Sequence, residues 1–240
     1  MTTTSKSPDQ SQEKHLAAAK SLEYVRDGMC LGLGSGSTAT IMVEMLAERI
    51  RQGLRVRGIP SSEGTRTLAH RLGIPLLTFD EVTELDLTID GADQATDQLD
   101  LIKGGGGALL REKVVASLSK RVIIIIDSTK RTDRLGAFPL PVEVVRFAWR
   151  PLSERIRRLG AKPELRMTSC GQPFVTDEGH YILDCDFGVI QDPRALAQEF
   201  NAIPGVMEHG LFVNLADTLV VGRGDGVDVV ESPRRWRERL

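Results

Sequence analysis

The sequence has few cysteines, little net charge and no long apolar run. Its three cysteines, Cys30, Cys170 and Cys185, share no CxxC spacing, which argues against a disulfide framework and for a reducing, cytoplasmic setting. Lys and Arg number 31 against 33 Asp and Glu, so no global charge attracts nucleic acid or a membrane surface. The longest apolar run, Val122 to Ile126, is far too short to span a bilayer. We therefore expect neither a nucleic-acid nor a membrane partner.

Signatures of metal sites and of common nucleophiles are also missing. The four histidines are scattered through the chain without metal-ligand spacing. No GxSxG motif and no paired Cys/His signature is present. We therefore expect chemistry that uses neither a metal ion nor an organic cofactor.

Both chain ends are polar. The first dozen residues are rich in Ser, Thr, Gln and Asp and lack an apolar segment, which predicts a loose tail and not a signal peptide. Residues 231–240 hold four arginines and one Trp, which favours a solvated terminal helix over an oligomer contact.

Alternating helix and strand patterns up to about Leu135 predict a parallel α/β sheet. The β-branched run Val122 to Ile126 is typical of a parallel strand buried on both faces. Beyond Leu135 the order becomes mixed, which predicts a small α+β domain of ferredoxin-like type. We expect residues 1–135 plus 214–240 to form a Rossmann-like domain and residues 136–213 the small inserted domain. The predicted helices are 13–27, 38–52, 63–72, 108–118, 152–159 and one that opens at 192–193; the predicted strands are 29–33, 56–59, 75–79, 85–89, 122–126, 141–145, 164–167, a hairpin over 175–186, 206–213 and 218–222.

A glycine-rich stretch, GLGSGST over 32–38, stands where the first strand meets a helix. Glycines let the backbone approach a ligand, and a helix N-terminus offers free N–H groups to an anion. The dinucleotide fingerprint requires Gly at position 37, where Ser37 stands, and a P-loop requires a lysine that is missing. The stretch therefore favours a phosphate or sugar loop, although a purely structural tight turn stays open.

Two carboxylates follow the strand that ends at Ile89, in the sequence Asp90-Gly91-Ala92-Asp93. In open α/β sheets, ligands bind beyond the carboxyl ends of the strands. The pair can hold sugar hydroxyls or perform acid/base work. An Asp-rich turn that caps a helix is an equal alternative.

Four consecutive glycines, Gly104 to Gly107, follow Lys103 and lead directly into an apolar helix. Ordering glycine costs roughly 0.5–1 kcal/mol per residue relative to alanine. A flexible surface loop could carry them at little cost, but the adjoining apolar helix favours an ordered anion cradle beside Lys103.

Glu112 stands inside that helix with only apolar neighbours at helical spacing: Ala108, Leu109, Val115 and Ala116. Burial raises the pKa of a carboxyl group, which suits a general base that takes and returns a carbon-bound proton. The alternative is a structural Glu paired with a buried cation.

Lys130, in the sequence DSTK over 127–130, follows the strand Val122 to Ile126. Its position lets it reach the same crevice, but a surface lysine is an equal interpretation.

Taken in order, these motifs resemble the type A ribose-5-phosphate isomerase family over roughly Lys14 to Gly226. Each motif is modest, but the ordered set is specific. The region around Ser61 to Glu63 matches only loosely. The matching stretches are GLGSGSTA (32–39), IDGAD (89–93), LIKGGGGALLREK (101–113), DSTK (127–130), FPLPVEV (138–144), ILDCDFG (182–188), NAIPGVMEHGLF (201–212) and ADTLVVG (216–222).

The resemblance implies an enzyme without metal or cofactor that interconverts D-ribose 5-phosphate and D-ribulose 5-phosphate in the non-oxidative pentose phosphate pathway, as a homodimer or homotetramer. It implies that Glu112 shuttles a proton between C1 and C2 through an enediol(ate), that Asp90 assists ring opening, that Lys103 steadies the oxyanion and that Asp93 holds sugar hydroxyls. The substrate-binding residues that it implies are Ser35, Gly36, Ser37, Thr38, Asp90, Gly91, Ala92, Asp93, Lys103, Gly104, Gly105, Gly106 and Lys130.

Two other functions stay open. One is a nicotinamide-dependent oxidoreductase that binds its cofactor with the 32–38 loop and the cofactor's ribose with Glu63. Two observations argue against it: Ser37 stands where the dinucleotide fingerprint requires glycine, and the chain has the set Asp90, Lys103 and Glu112. The other is a non-catalytic sugar-phosphate sensor, which the intact base argues against.

Overall fold

A computed structural model describes residues 9–233 of the chain. The predicted N-terminal tail therefore lies outside the described residues up to position 8. The predicted terminal helix lies outside them from position 234. Residues 10–12, predicted as tail, are instead helical, because the Asp9 carboxylate accepts hydrogen bonds from the N–H groups of Ser11 and Gln12 and caps the helix.

The described chain alternates strands with helices in its first half and mixes them in its second. The α-helices are α1 (Gln10–Ser21), α2 (Ser37–Arg51), α3 (Glu63–Arg71), α4 (Leu109–Ser117), α5 (Trp149–Arg157) and α6 (Pro193–Asn201). The strands are β1 (Cys30–Leu33), β2 (Arg57–Pro60), β3 (Leu87–Asp90), β4 (Gln94–Ala95), β5 (Leu101–Ile102), β6 (Val122–Asp127), β7 (Leu140–Val144), β8 (Lys162–Leu165), β9 (Tyr181–Asp186), β10 (Val206–His209), β11 (Leu211–Phe212), β12 (Thr218–Arg223) and β13 (Gly226–Glu231). Short 3₁₀ turns lie at Leu22–Tyr24, Ser128–Lys130 and Arg146–Ala148.

The largest sheet has six strands in the order β13-β12-β6-β3-β1-β2, all parallel except β13. Strand β6 lies inside it, and its isoleucines alternate between two cores. Ile123 and Ile125 pack with α1 and α2, whereas Ile124 and Ile126 pack with Ala116 of α4 and with β12. This two-sided burial confirms the α/β class predicted from the uninterrupted β-branched run.

A second, four-stranded sheet has the antiparallel order β10-β7-β9-β8. With α5 and α6 its elements follow the order β-α-β-β-α-β, which is that of the ferredoxin-like motif. Helix α6 begins where predicted, because Asp192 accepts from the N–H of Ala195 and Pro193 occupies the first turn. These elements fall within residues 136–213, and the division of the chain into domains at 135 and 213 stays a prediction.

The third sheet is small, with the order β11-β5-β4. The strand predicted over 206–213 divides at Gly210, so that β10 belongs to the second sheet and β11 to the third. The Gly210 N–H donates to the Pro141 carbonyl, and the Gly210 carbonyl accepts from the Lys103 N–H. One residue therefore joins two sheets directly beside a predicted site residue.

Other sequence predictions need correction. Residues 75–79 form no strand, because a turn held by Thr78 and Glu81 leaves only an isolated bridge between Leu76 and Gly58. Only the second arm of the predicted 175–186 hairpin is a strand. The helix predicted over 13–27 ends at Ser21 and continues only as a 3₁₀ turn. Strands β4, β5 and β13 were not predicted.

Candidate active site

Loops from several strands converge at the carboxyl edge of the six-stranded sheet. The loop after β1 leads into α2, the loop after β3 carries the DGAD sequence, and the turn after β6 carries DSTK. The glycine loop reaches the same place between β5 and α4. The residues that line this pocket are Ser35, Gly36, Ser37, Thr38, Gly91, Ala92, Asp93, Lys103, Gly104, Gly105, Gly106, Glu112 and Lys130. The structure thus brings the predicted site residues together, with Asp90 directly behind the pocket wall.

Three charged side chains form a buried cluster at the base of the pocket. The Lys103 Nζ lies 3.1 Å from Asp90 Oδ2 and 3.2 Å from Glu112 Oε1. All three residues are at least 95% buried. Two carboxylates and one ammonium leave the cluster one negative charge in excess when all three are ionised, which disfavours ionisation of one carboxyl.

The excess negative charge of the cluster affects the pKa of Glu112. Burial, reinforced by the Asp90 charge and opposed by Lys103, raises the pKa of Glu112 to about 7. Its Oε1 accepts a hydrogen bond of 2.5 Å from the Ser35 hydroxyl, whereas its Oε2 is buried and has no partner among the described residues. A buried oxygen without a partner is rare in folded proteins and marks a place where a ligand supplies the missing contact.

Asp90 is held rigidly on its other side. Its Oδ1 accepts from the N–H groups of Ser35 at 2.9 Å and Gly91 at 2.7 Å. The glycine at position 34 makes this approach possible, since a β-carbon there would lie 2.3 Å from Asp90 Oδ1. The first glycine motif therefore shapes the carboxylate cluster as well as the anion loop.

Lys103 stays positively charged in this environment. Burial alone would lower the pKa of Lys103, but the Asp90 and Glu112 carboxylates outweigh burial and raise the pKa well above its usual value. Its ammonium also donates to the Gly91 carbonyl at 2.5 Å and lies 5.5 Å from the centre of the Phe212 ring. A fixed cation therefore stands beside the Glu112 carboxylate.

The opposite end of the pocket offers unpaired donors. Helix α2 begins at Ser37 without a side-chain cap, which leaves its first N–H groups directed at the pocket. The Thr38 hydroxyl is buried and has no partner among residues 9–233. Lys130 forms no ion pair with any residue that the structure describes. A helix N-terminus, a hydroxyl and a cation are the groups that bind phosphate.

Asp93 connects the DGAD loop with the glycine loop. Its Oδ2 accepts the Gly105 N–H at 2.7 Å, and its side chain is partly exposed at the pocket wall. One carboxylate oxygen thus fixes the loop, and Oδ1 can accept from a ligand hydroxyl.

Sequence reasoning missed some contributors. The Ser35 hydroxyl contact with Glu112 joins positions 77 residues apart, which no local pattern indicates. Phe212 lies in the stretch 201–212 but carries no polar signal.

The described residues lack both a metal-binding cluster and a helix that could cross a membrane. No group of three or more His, Cys, Asp or Glu side chains within 9–233 is arranged to hold a metal ion. In the same range no helix combines the length and the apolar character that a membrane crossing requires.

Comparison with known proteins identifies the family. A family model described as ribose 5-phosphate isomerase A (phosphoriboisomerase A) matches residues 57–226. A ribose-5-phosphate isomerase A of Bradyrhizobium diazoefficiens is 50% identical over 230 residues, which cover 92% of this chain and 95% of the relative. One from Rhodopseudomonas palustris is 52% identical and covers 93% and 99%.

Solved structures agree with the sequence relatives. A D-ribose-5-phosphate isomerase in complex with phospho-erythronic acid superimposes with a TM-score of 0.91 at 36% identity, covering 93% of this chain and all of the other. The ribose 5-phosphate isomerase of Plasmodium falciparum gives a TM-score of 0.89 at 36% identity and covers 94% and 100%. The chain belongs to the type A ribose-5-phosphate isomerase family.

Proposed function

We propose that this chain interconverts D-ribose 5-phosphate and D-ribulose 5-phosphate by proton transfer through an enediol(ate). The observation that carries the proposal is the buried Glu112 carboxylate, whose Oε2 has no partner among the described residues while a fixed Lys103 cation stands 3.2 Å from its Oε1. A base with a free oxygen beside a fixed cation is what enolisation next to a carbonyl requires.

Glu112 moves the proton. In the open-chain aldose the carboxylate takes the proton from C2, and the electrons of that C–H bond form the C1–C2 double bond as the carbonyl oxygen becomes negative. The same carboxyl group returns the proton to C1. The proton of the C2 hydroxyl passes to the negative oxygen on C1, so that C2 becomes the carbonyl and C1 carries the hydroxyl of the ketose. A pKa of about 7 leaves Glu112 ionised enough to accept a proton and acidic enough to return it at neutral pH.

Lys103 and Asp90 act on the oxygen atoms of the sugar. The ammonium of Lys103 carries its positive charge throughout and stabilises the enediolate oxygen. The family resemblance assigns ring opening to Asp90. Its Oδ2 faces the cluster, and its Oδ1 is fixed by two backbone donors. Asp93 accepts from the remaining sugar hydroxyls through Oδ1.

The phosphate lies at the other end of the pocket. The uncapped N-terminus of α2 and the unpartnered Thr38 hydroxyl supply neutral donors, and Lys130 supplies charge. The complex of the solved relative with phospho-erythronic acid, a phosphorylated sugar acid, supports a site for phosphorylated sugars in this family.

We also propose that the protein is cytoplasmic, forms a homodimer or homotetramer and works in the non-oxidative pentose phosphate pathway. Three free cysteines support a reducing compartment, and the family resemblance supports the assembly and the pathway.

The structure disfavours the oxidoreductase alternative. The Glu63 carboxylate, which would have to bind a ribose, accepts from Arg111 at 2.7 Å and from Arg66 at 3.1 Å. Both ion pairs engage its Oε1 and direct this oxygen to the two arginines.

An isomerase assay tests the proposal. We expect turnover of ribose 5-phosphate that persists in EDTA, and a kcat/KM at least about 100-fold higher than for free ribose, since two lost charged hydrogen bonds cost about 3 kcal/mol. Equal kcat/KM for the two sugars would contradict the phosphate assignment, and loss of turnover in EDTA that a divalent ion restores would reveal a metal requirement.

A further inference from the structure

The glycine loop is tied to the second sheet by one side chain. The Arg166 Nη1 donates to the carbonyl of Gly104 at 2.9 Å and to that of Gly105 at 3.1 Å. On its pocket side the same loop donates the Gly105 N–H to Asp93. Arg166 thus holds the loop segment that supports Asp93, although it is not among the residues that line the pocket.

Arg166 is itself fixed from two directions. Its Nε donates to Asp184 Oδ2 at 2.9 Å, and its Nη2 donates to Asp184 Oδ1, so the pair is bidentate. Its guanidinium lies 5.8 Å from the centre of the Phe174 ring, which packs against Gly107. Only the guanidinium fork can reach Asp184 and the loop carbonyls at the same time.

We propose that Arg166 is a positioning residue that orders the Gly104–Gly105 loop and, through it, the orientation of the Asp93 carboxylate toward substrate. The inference rests on the proposed function, since Asp93 is the group that holds sugar hydroxyls there. A loop of four glycines has no side chains of its own to limit its conformations, so its order must come from its neighbours. Arg166 supplies that order from the second sheet.

Arg166→Lys is the test, with Arg157→Lys as the matched control. Arg157 is an exposed arginine of α5 whose recorded partner is Glu154, one turn away on the same helix. Lysine keeps the charge of Arg166 but cannot bind Asp184 and both carbonyls together. We expect Arg166→Lys to raise KM for ribose 5-phosphate about tenfold, the loss of roughly one charged hydrogen bond, with a smaller change in kcat and an unchanged pH midpoint. Arg157→Lys should leave all three as in wild type.

A partner substitution separates positioning from simple stabilisation. The double variant Arg166→Lys with Asp93→Asn should have a KM that is raised, relative to wild type, by less than the product of the two single increases. Both substitutions act on the same contact between substrate and Asp93. Independent single effects in this cycle, or a wild-type KM in folded Arg166→Lys, would overturn the proposal.

Hydrogen exchange provides a readout that does not depend on turnover. Amides of the peptide 103–108 should exchange faster in Arg166→Lys than in wild type or Arg157→Lys, while amides of β9 keep their protection. Unchanged exchange in 103–108, or faster exchange across the whole second sheet, would show that Arg166 does not order this loop specifically. An inactive wild-type enzyme would count against the proposed function. The exchange measurement would then still decide whether Arg166 orders the Gly104–Gly105 loop.

Discussion

Glu112 and Lys113 are neighbours on α4, and each belongs to a buried charge cluster. The Glu112 cluster faces the pocket, and one of its carboxylate oxygens has no partner among the residues the structure describes. The Lys113 cluster faces β10 and β11. There the Lys113 ammonium donates to Glu208 Oε1 at 2.6 Å and to the His209 carbonyl at 2.7 Å, and it lies 4.8 Å from the centre of the Phe212 ring.

The two clusters also differ in how they titrate. Burial raises the pKa of Glu112 to about 7, into the range where enzymes work. Burial lowers the pKa of Lys113, opposed by Glu208, and burial with the Lys113 charge lowers the pKa of His209 to about 3. The imidazole of His209 is therefore neutral at neutral pH.

The contrast shows what separates a functional buried charge from a structural one. Both clusters lose hydration, but in the Lys113 cluster the ammonium finds hydrogen-bond acceptors in Glu208 and the His209 carbonyl. The Glu112 cluster leaves one oxygen unsatisfied and one carboxyl poised between protonation states, which a substrate can exploit. Burial alone, visible in sequence as an apolar helix face, does not distinguish them.

Replacing Glu112 by Gln should give the largest effect. Glutamine keeps the shape and removes the basicity, so kcat should fall by at least the roughly 10²–10⁴-fold that is typical of a lost general base. KM should change much less, because the phosphate and hydroxyl contacts persist. Steady-state kinetics on protein shown to be folded by circular dichroism measure this.

A folded Glu112→Gln enzyme with near-normal kcat would refute the assignment of the base, and Asp90 would be the next candidate. Solvent deuterium in the product of the wild-type reaction in D₂O would further identify a base that exchanges its proton.

Replacing Lys113 by Met should act on stability and not on chemistry. It leaves the Glu208 carboxylate without its cation in a mostly buried place, which should lower the free energy of unfolding by about 3 kcal/mol. The kcat of the folded protein should stay close to wild type, because Lys113 does not line the pocket. Urea unfolding and steady-state kinetics provide the two measurements.

The double variant Lys113→Met with Glu208→Leu controls for the stranded charge. Removing both partners should recover most of the lost stability, since an apolar pair of similar size replaces a desolvated ion pair. A double variant that is less stable than Lys113→Met alone would show that the ion pair between Lys113 and Glu208 stabilises the fold by more than its desolvation cost.

The pH profile should give the smallest and most diagnostic effect. Glu112 must be ionised to accept a proton, and its pKa is raised to about 7, so kcat/KM should fall as pH drops below that value, approaching tenfold per unit. An enzyme whose base is a solvated glutamate would keep its kcat/KM down to about pH 5. An acidic limb centred near 4.5 would show that burial does not control this base.

Much of this architecture follows from local sequence pattern. The β-branched run from Val122 predicts the central strand because a buried parallel strand needs apolar residues on both faces. The Asp90–Asp93 turn could be predicted as part of a site because ligands bind beyond the carboxyl ends of parallel strands. The full set of pocket residues was predicted from the family resemblance. The strand predicted over 75–79 does not form, because the turn at Thr78 ends the pairing after one bridge.

The contacts that tune the site were beyond sequence reasoning because they depend on tertiary placement. The Ser35 hydroxyl, the Phe212 ring and the Arg166 guanidinium reach the site from elements far apart in the chain. The sequence indicates Ser35 as a loop residue but not its contact with Glu112. Phe212 and Arg166 carry no special spacing, so only the folded geometry shows their contacts.

The crossing at Gly210 limits how this protein can be rebuilt. A β-carbon at position 210 would lie 2.3 Å from the Lys103 carbonyl and 2.9 Å from Pro141 Cδ, so any larger residue forces the second sheet away from Lys103. An engineer who excises residues 136–213 to obtain a minimal enzyme would remove the acceptor for the Lys103 N–H together with the Arg166 support of the glycine loop. Shortening, grafting or circular permutation of this scaffold must therefore treat both sheets as one inseparable module.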